Sequence, residues 1–405
     1  MTLPEKIRLL DVHIGGERSG ELLHQSQLIF KYLRDDTTQA AVGLLMPPTR
    51  LLYQSNNLFP VMDQNLPEGY LFQRIRDAYP KQALSAMHLL ALIGENGIGR
   101  LGFHLPEVGR TQAIRPLSRS ELLHTAFGPK MFESLVQSYL STGIGIAGVQ
   151  PKIMVPDRAT VPVPNLIVKT GAESYPGLAA NEFLCLSAAQ RAGIETPAFD
   201  LSDDGQLLLV DRFDLDENAT RLGFEDVASL MGRCVRDTLS DRKYQGSYEM
   251  IAEALKMIGL SAQDLSRYFE QVALTVMVRN GDGHLKNFGV LYRSAQDARL
   301  SPLYDVVTTT IYRYTQYAGG PELEDRTLAL RLFRKSKTKA YPLPAELQHF
   351  GRVVCGVAHP AAILQRIAQG MSETLNRART DARIAKQTLK QMRVAWEDGL
   401  AYGAT

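Results

Sequence analysis

The spacing of apolar positions changes along the chain. Over residues 8–46 apolar side chains come in short strand-like runs, one before Gly15-Gly16 and others after it, such as QSQLIFKYL. This predicts strands joined by a tight glycine turn. From Pro80 to Ile93 the spacing of Leu84, Met87, Leu90 and Leu92 is helical, and Gly94 ends the run. Asn96-Gly97 then reads as a hairpin signal. A small mixed α/β unit is expected to close near His104, and LPEVGRTQAIRPL (105–117) reads as a linker. Ser118 or Ser120 is placed to cap a helix with Glu121 in its first turn.

Beyond the linker, 153–155 and 165–170 predict strands, and Ala180–Ala192 a helix stopped by Gly193. QLLLVDRF (206–213) predicts a buried strand. Helices are expected at Glu225–Met231, at Tyr248–Met257, and from Asp264 to about Arg279, where Leu265, Phe269, Val272 and Val276 share a face. From about Pro342 the chain reads as mostly helical, with a last helix over Glu373–Trp396 that buries Trp396. Short strands first and helices later predict an α+β, two-lobed body rather than a βαβ series.

The remaining bulk properties mostly exclude. The 405 residues suffice for two or three domains, at about 150 residues each. Lys plus Arg (45) nearly balances Asp plus Glu (43), so the charge of +2 points to neither nucleic acid nor membrane. Cys185, Cys234 and Cys355 are far apart and odd in number, which excludes a disulfide framework and a CxxC metal pair. They are expected as buried thiols in a reducing cytoplasm. No apolar run approaches the ~18 residues of a membrane span. The start mixes charge into its apolar stretch, unlike a signal peptide.

Candidate chemistry begins with two GxGxxG matches, Gly97/Gly99/Gly102 and Gly143/Gly145/Gly148. A dinucleotide site needs a strand before the motif and a helix opening within it, and neither match has that context. The first reads as a plain hairpin. The second runs into Val149-Gln150-Pro151-Lys152-Ile153-Met154-Val155, strand-like, as in the glycine loop that covers ATP phosphates in kinases. Lys169, within the strand that follows, suits a phosphate contact, although such lysines are often solvent-facing. Glu182, early in a predicted helix, suits an anchor for that ammonium and equally a dipole-stabilised first-turn carboxylate.

The densest signal is Asn280-Gly-Asp-Gly-His-Leu-Lys-Asn287, after the long helix, with Asp305 further on. Phosphoryl transfer needs a carboxylate that accepts the substrate hydroxyl proton, and a carboxylate and an amide oxygen that hold Mg²⁺. Asp282, Asn287 and Asp305 supply that set. The plain alternative is an Asx-turn loop with an unrelated aspartate. His284 has no second His or Cys at zinc-ligand spacing, so it reads as a residue that holds the loop backbone or lies near phosphate.

Gly145-Ile-Ala-Gly-Val-Gln-Pro-Lys152, Leu166-Ile-Val-Lys169, Asn181-Glu-Phe183, Val210-Asp-Arg-Phe-Asp214, Asn280-x-Asp-x-His-x-x-Asn287 and Leu300-Ser-Pro-Leu-Tyr-Asp-Val306 follow one another in this order. In this the chain resembles HipA-type serine/threonine kinases, the toxins of bacterial type II toxin–antitoxin modules. The resemblance covers about residues 125–370 well and the first ~105 more loosely. It implies a kinase-like fold with an N-terminal subdomain (1–110), an N-lobe (118–214) and a mostly helical C-lobe (215–405). Ala147, Gly148, Val149, Gln150, Pro151 and Lys152 would form the phosphate loop, and Lys169 would contact phosphates. Asp211, Arg212 and Phe213 would be the hinge that reads adenine through its backbone, with Asp214 near the ribose. Asp282 would be the catalytic aspartate and a metal neighbour. His284 to Asn287 and Tyr304 would line the ATP site, and Asn287 and Asp305 would hold Mg²⁺.

The resemblance further implies a cytoplasmic protein substrate, such as an aminoacyl-tRNA synthetase, and a helix-turn-helix antitoxin through which operator DNA is bound. Many members carry a self-phosphorylated serine where this chain has Gly145 and Ala147. Relatives often flank the catalytic Asp with polar and acidic residues, where this chain has Gly281 and Gly283. Two other readings remain open: a kinase-shaped co-repressor that transfers nothing, and a small-molecule phosphotransferase. Thr308–Tyr317 reads as an activation segment or a half-buried strand pair. Arg331–Lys339 reads as a solvated basic face or a phosphate contact.

Overall fold

The computed structural model describes residues 3–106, 118–128, 131, 152–155, 165–171, 175–235, 237–315 and 320–404. It divides into two compact units. The first comprises Met1–Thr170, Leu209–Arg242 and Gly289–Ala298; the second comprises Gly171–Leu208, Lys243–Phe288 and Arg299–Thr405.

In the first unit, β1 (Leu9–Ile14), β2 (Glu17–His24), β3 (Leu28–Tyr32), β4 (Leu52–Ser55) and β5 (Leu101–His104) form an antiparallel sheet in the order β4-β3-β2-β1-β5. Gly15 and Gly16, both at positive φ, make the predicted turn between β1 and β2. Alternate residues Leu10, Val12 and Ile14 are buried, as the period of two requires. Helices α1 (Pro60–Asp63), α2 (Gly69–Ala78) and α3 (Ala86–Ile93) belong to the same unit. The helix expected from Pro80 begins only at Ala86, because Ser85 and His88 form a capping box that fixes the start there. Asn96-Gly97 lies in the loop from α3 to β5, not in a hairpin; Gly94 ends the helix and its carbonyl accepts from the Phe103 N–H at 3.0 Å.

Ser118 caps α4 (Arg119–His124) in a box with Glu121, as expected. β6 (Lys152–Val155) pairs antiparallel with β7 (Leu166–Thr170), setting Lys152 opposite Lys169. All five residues of β7 are buried. β10 (Gly223–Asp226) pairs antiparallel with β11 (Gly289–Tyr292). The helix expected over Glu225–Met231 shrinks to α6 (Val227–Leu230), because Glu225 is taken by the β10 ladder and Asp226 caps the helix by accepting from Ser229. The 105–117 linker falls outside the described residues apart from Leu105 and Pro106.

The second unit is mainly helical: α5 (Leu178–Arg191), α7 (Tyr248–Met257), α8 (Ala262–Met277), α9 (Pro344–Val353), α10 (Pro360–Arg377) and α11 (Lys386–Leu400). α10 packs against α5, and α11 against α8. At Gly399 a side chain would collide with the Met277 carbonyl, so only glycine lets α11 come this close to the end of α8. Trp396 is fully buried, as expected. The helix expected over 373–396 is two helices: Asp381 accepts from the backbone and guanidinium of Arg383, and this local bonding replaces helical bonding between Arg377 and Lys386. β8 (Phe199–Leu201) and the start of β9 (Leu207–Asp211) also lie here; Leu209–Asp211 continue in the first unit. Between 308 and 325 the described residues form a 3₁₀ turn at Thr309–Ile311 and a two-residue ladder, Arg313–Tyr314 against Leu323–Glu324.

Candidate functional site

The carboxylate loop lies in the second unit at the end of α8. Ser261 caps that helix reciprocally with Asp264, and its buried face (Leu265, Phe269, Val272, Val276) fixes its axis. The helix stops where Arg279 turns to φ +60, a conformation side chains rarely adopt. Asn280, buried, accepts the Asp282 N–H at 2.9 Å in an Asx turn. The Gly281 N–H donates to Thr309 Oγ1 at 2.7 Å, and a Cβ on Gly281 would lie 2.6 Å from the Thr327 carbonyl oxygen. Glycine is therefore required here by space. Tyr248, fully buried, donates to the Gly283 carbonyl at 2.9 Å.

This framework leaves Asp282 exposed, with one carboxylate oxygen accepting from Tyr244 Oη at 2.8 Å. The His284 N–H is shared by the Asp282 carbonyl (2.8 Å) and Asn287 Oδ1 (2.9 Å). Burial, then the charges of Lys243 and Lys286, push the His284 imidazole well below its ordinary pKa, while Asp305 opposes them. The ring is therefore neutral at neutral pH, and its Nδ1 accepts the Lys286 N–H at 3.3 Å. Asp305 is held at φ +54, and its neighbour Tyr304 donates to the Lys286 carbonyl at 2.7 Å. The Asp282 backbone carbonyl and Asn287 Oδ1 thus both bond the His284 N–H, and Asp305 lies near enough to act electrostatically on the His284 ring.

Thr308 supports this loop from below. Its Oγ1 donates to the Val278 carbonyl at 2.8 Å and accepts from Trp396 Nε1 at 2.8 Å. Asn181 brackets its backbone with two 2.9 Å bonds. Asn181, Thr308, Tyr244 and Tyr248 were not singled out by sequence reasoning as supports of the loop. Asn181 falls in the Asn-Glu-Phe motif, and Thr308 opens the 308–317 segment, but neither pattern pointed to support of the loop. Glu182, beside Asn181, is buried on α5. In the basic 331–339 segment, Lys339 is partly buried and donates to the Tyr244 carbonyl, while exposed Arg334 pairs with Glu253 at the surface.

In the first unit, Lys169 is buried in β7, and the side chain of Asp211 pairs with Arg119. Arg212 and Asp214 form a buried bidentate pair at 2.9 and 2.6 Å, with both side chains inaccessible to solvent. Asp214 also accepts the Gly99 N–H at 2.6 Å, and the Gly97 carbonyl accepts from Arg212 and Arg221. Burial alone raises the Asp214 pKa, but Arg212, Arg221 and Gly99 outweigh it and hold the group below the ordinary carboxylate value. The glycine loop read as a plain hairpin is therefore the anchor of the buried Asp214 carboxylate and its Arg212 partner. Phe213 packs edge-on against Phe224. Ala147, Gly148, Val149, Gln150 and Pro151 lie outside the described residues, and Lys152 is described through its backbone alone.

Two family models match the chain: one described as HipA-like C-terminal domain over residues 144–395, and one described as HipA N-terminal domain over 10–104. A relative from Sinorhizobium fredii, "Putative kinase Y4dM", is 26% identical over 376 residues, covering 85% of each chain. A Haemophilus influenzae protein, "Putative kinase", is 28% identical over 216 residues, 49% of this chain and 60% of its own. The fold is similar to that of HipA from Shewanella oneidensis MR-1, solved with HipB and its operator DNA. That match has a TM-score of 0.68 at 16% identity, covering 97% of this chain and 96% of the other. The fold is α+β and kinase-like.

Proposed function

The chain belongs to the HipA family, and from that premise we propose that it is an ATP- and Mg²⁺-dependent protein kinase that phosphorylates serine or threonine. The reading is supported most by one loop in which the Asp282 carbonyl and Asn287 Oδ1 bond the His284 N–H while Asp305 acts electrostatically on the His284 ring. Asp282 is the base: its exposed carboxylate takes the proton of the attacking hydroxyl as that oxygen bonds the γ-phosphorus and the bond to ADP breaks. Tyr244 orients that carboxylate. Asn287 and Asp305 offer the hard oxygen donors that suit Mg²⁺, and Asn287 Oδ1 retains a lone pair beyond its bond to His284. Bound there, the ion would neutralise phosphate charge.

Lys169 and the 147–152 loop would bind phosphates, and Tyr304 and His284 would line the nucleotide pocket. The backbone of Asp211–Phe213 would read adenine. The buried Arg212–Asp214 pair shapes that hinge from within and leaves no carboxylate face for ribose. With Gly145 and Ala147 in the loop, activity is not switched off by phosphorylation at those two positions. The substrate class we propose is a cytoplasmic protein, an aminoacyl-tRNA synthetase being one candidate. A helix-turn-helix antitoxin would neutralise the kinase and carry it to operator DNA. Incubation of cytoplasmic lysate with the protein and [γ-³²P]ATP is expected to label a discrete protein band on serine or threonine, identified by mass spectrometry. Label confined to small molecules would overturn the assignment.

A further inference from the structure

A second group of side chains, in the first unit, is unconnected with phosphoryl transfer. His13 on β1, Glu95 in the loop after α3, and His104 at the end of β5 bring one ligand atom each to within 4.8 Å of one another. Among the described residues, no other set of three His, Cys, Asp or Glu side chains does so. One oxygen of Glu95 lies 3.0 Å from His104 Nε2 and 3.7 Å from His13 Nδ1. The imidazole centroids are 4.3 Å apart and inclined at 52°, so the rings converge instead of stacking flat. All three side chains are between one-fifth and one-third exposed, open to an ion yet held by their elements.

We propose that His13, Glu95 and His104 bind one transition-metal dication of the zinc class. Two imidazoles and a carboxylate are borderline nitrogen and hard oxygen donors, a set that suits Zn²⁺ or Co²⁺ and not Mg²⁺ or Ca²⁺. Ligand bonds of about 2.0–2.2 Å in a tetrahedron put ligand atoms about 3.3–3.6 Å apart. The two separations from the Glu95 oxygen straddle that range, and binding through His13 Nδ1 replaces the hydrogen bond this nitrogen makes to the Gly16 carbonyl at 3.3 Å. A fourth position stays open to water.

The backbone supports the grouping. In the β1–β5 ladder His13 stands opposite Gly102 and Asp11 opposite His104, so the two histidines approach across adjacent strands. A Cβ on Gly102 would meet Glu95 Cγ at 2.8 Å, and only glycine there lets Glu95 lie over the sheet. The consequence is mechanical. Glu95 begins the loop whose Gly97 carbonyl and Gly99 N–H hold Arg212, Arg221 and Asp214. A metal at Glu95 ties that loop to β1 and β5, and so stiffens the backbone that holds the buried Arg212–Asp214 pair.

Co²⁺ titration of the intact, metal-stripped protein reads this directly through visible d–d absorption. The expected result is one saturable site of low coordination number that Zn²⁺ displaces and excess Mg²⁺ does not. His104→Gln and Glu95→Gln, checked for native far-ultraviolet circular dichroism, are each expected to weaken it at least about tenfold. Zn²⁺ is expected to raise the melting temperature of the parent protein and not of these variants. Absence of a d–d spectrum in the parent, or an unchanged spectrum and affinity in Glu95→Gln, would overturn the proposal.

Discussion

At the scale of single residues, the account turns on side chains that position others. The Tyr244 hydroxyl is bonded to the carboxylate that we assign as base. Removing a hydrogen bond to a charged group costs about 1.5–3 kcal/mol. Tyr244→Phe is therefore expected to lower the phosphotransfer rate at saturating ATP about tenfold or more, with KM for ATP little changed. A variant with an unchanged rate would remove Tyr244 from the machinery. Glu225 gives a test by pH. Burial raises its pKa, opposed by the Leu44 N–H and the Tyr292 and Ser229 hydroxyls. A carboxyl whose folded pKa lies above its unfolded one stabilises the fold at low pH, and that contribution is lost as pH rises through the folded value. Glu225→Gln keeps an amide oxygen for Leu44 and Tyr292 and an N–H for Ser229. Its melting temperature relative to the parent is expected to be more favourable at pH 8 than at pH 5; the reverse order would refute the sign. The residues we propose for the chemistry stand out in the sequence because loop aspartates, an amide and flanking glycines are unusual together. Their supports do not, since Tyr248 and Thr308 look like any core tyrosine and strand threonine until the fold brings them under the loop.

At the scale of elements, helices with strong local signals appeared where the pattern put them. α7 and α8 carry serine caps and a clear apolar face. The misplaced boundaries share one cause, a side chain that bonds locally and outcompetes the periodic pattern. Ser85 starts α3 late, Asp226 cuts the helix after β10 short, and Asp381 opens a turn between α10 and α11. Such competition depends on a few hydrogen bonds that spacing does not encode. The first glycine loop is another case, since its value lies in partners more than a hundred residues away. The second glycine feature is testable. A methyl group on Gly281 must displace the Thr327 carbonyl or the loop itself. Gly281→Ala is expected to destabilise the fold by about 1–3 kcal/mol and to depress phosphotransfer further than Gly283→Ala, whose nearest obstacle is a threonine methyl. Equal activity of Gly281→Ala and the parent, measured alongside chemical denaturation, would show that the loop tolerates the shift.

At the scale of the whole molecule, the order of strands before helices was enough to indicate an α+β body, and the family models now span most of the chain. How the sequence is shared between the two units was less legible. The chain enters the first unit three times, through Leu209–Arg242 and Gly289–Ala298 as well as the N-terminal stretch. Such returns leave no mark in composition, because a buried strand such as β9 reads the same whichever neighbours it serves. The central claim, that Asp282 accepts the proton in phosphoryl transfer, is tested most directly by paired measurements on Asp282→Asn. These are ATP binding by calorimetry in the presence of Mg²⁺, and single-turnover transfer of the γ-phosphate to protein. The account predicts ATP affinity within about threefold of the parent and transfer reduced by at least about a hundredfold. Transfer at the parental rate by a well-folded Asp282→Asn protein would contradict it.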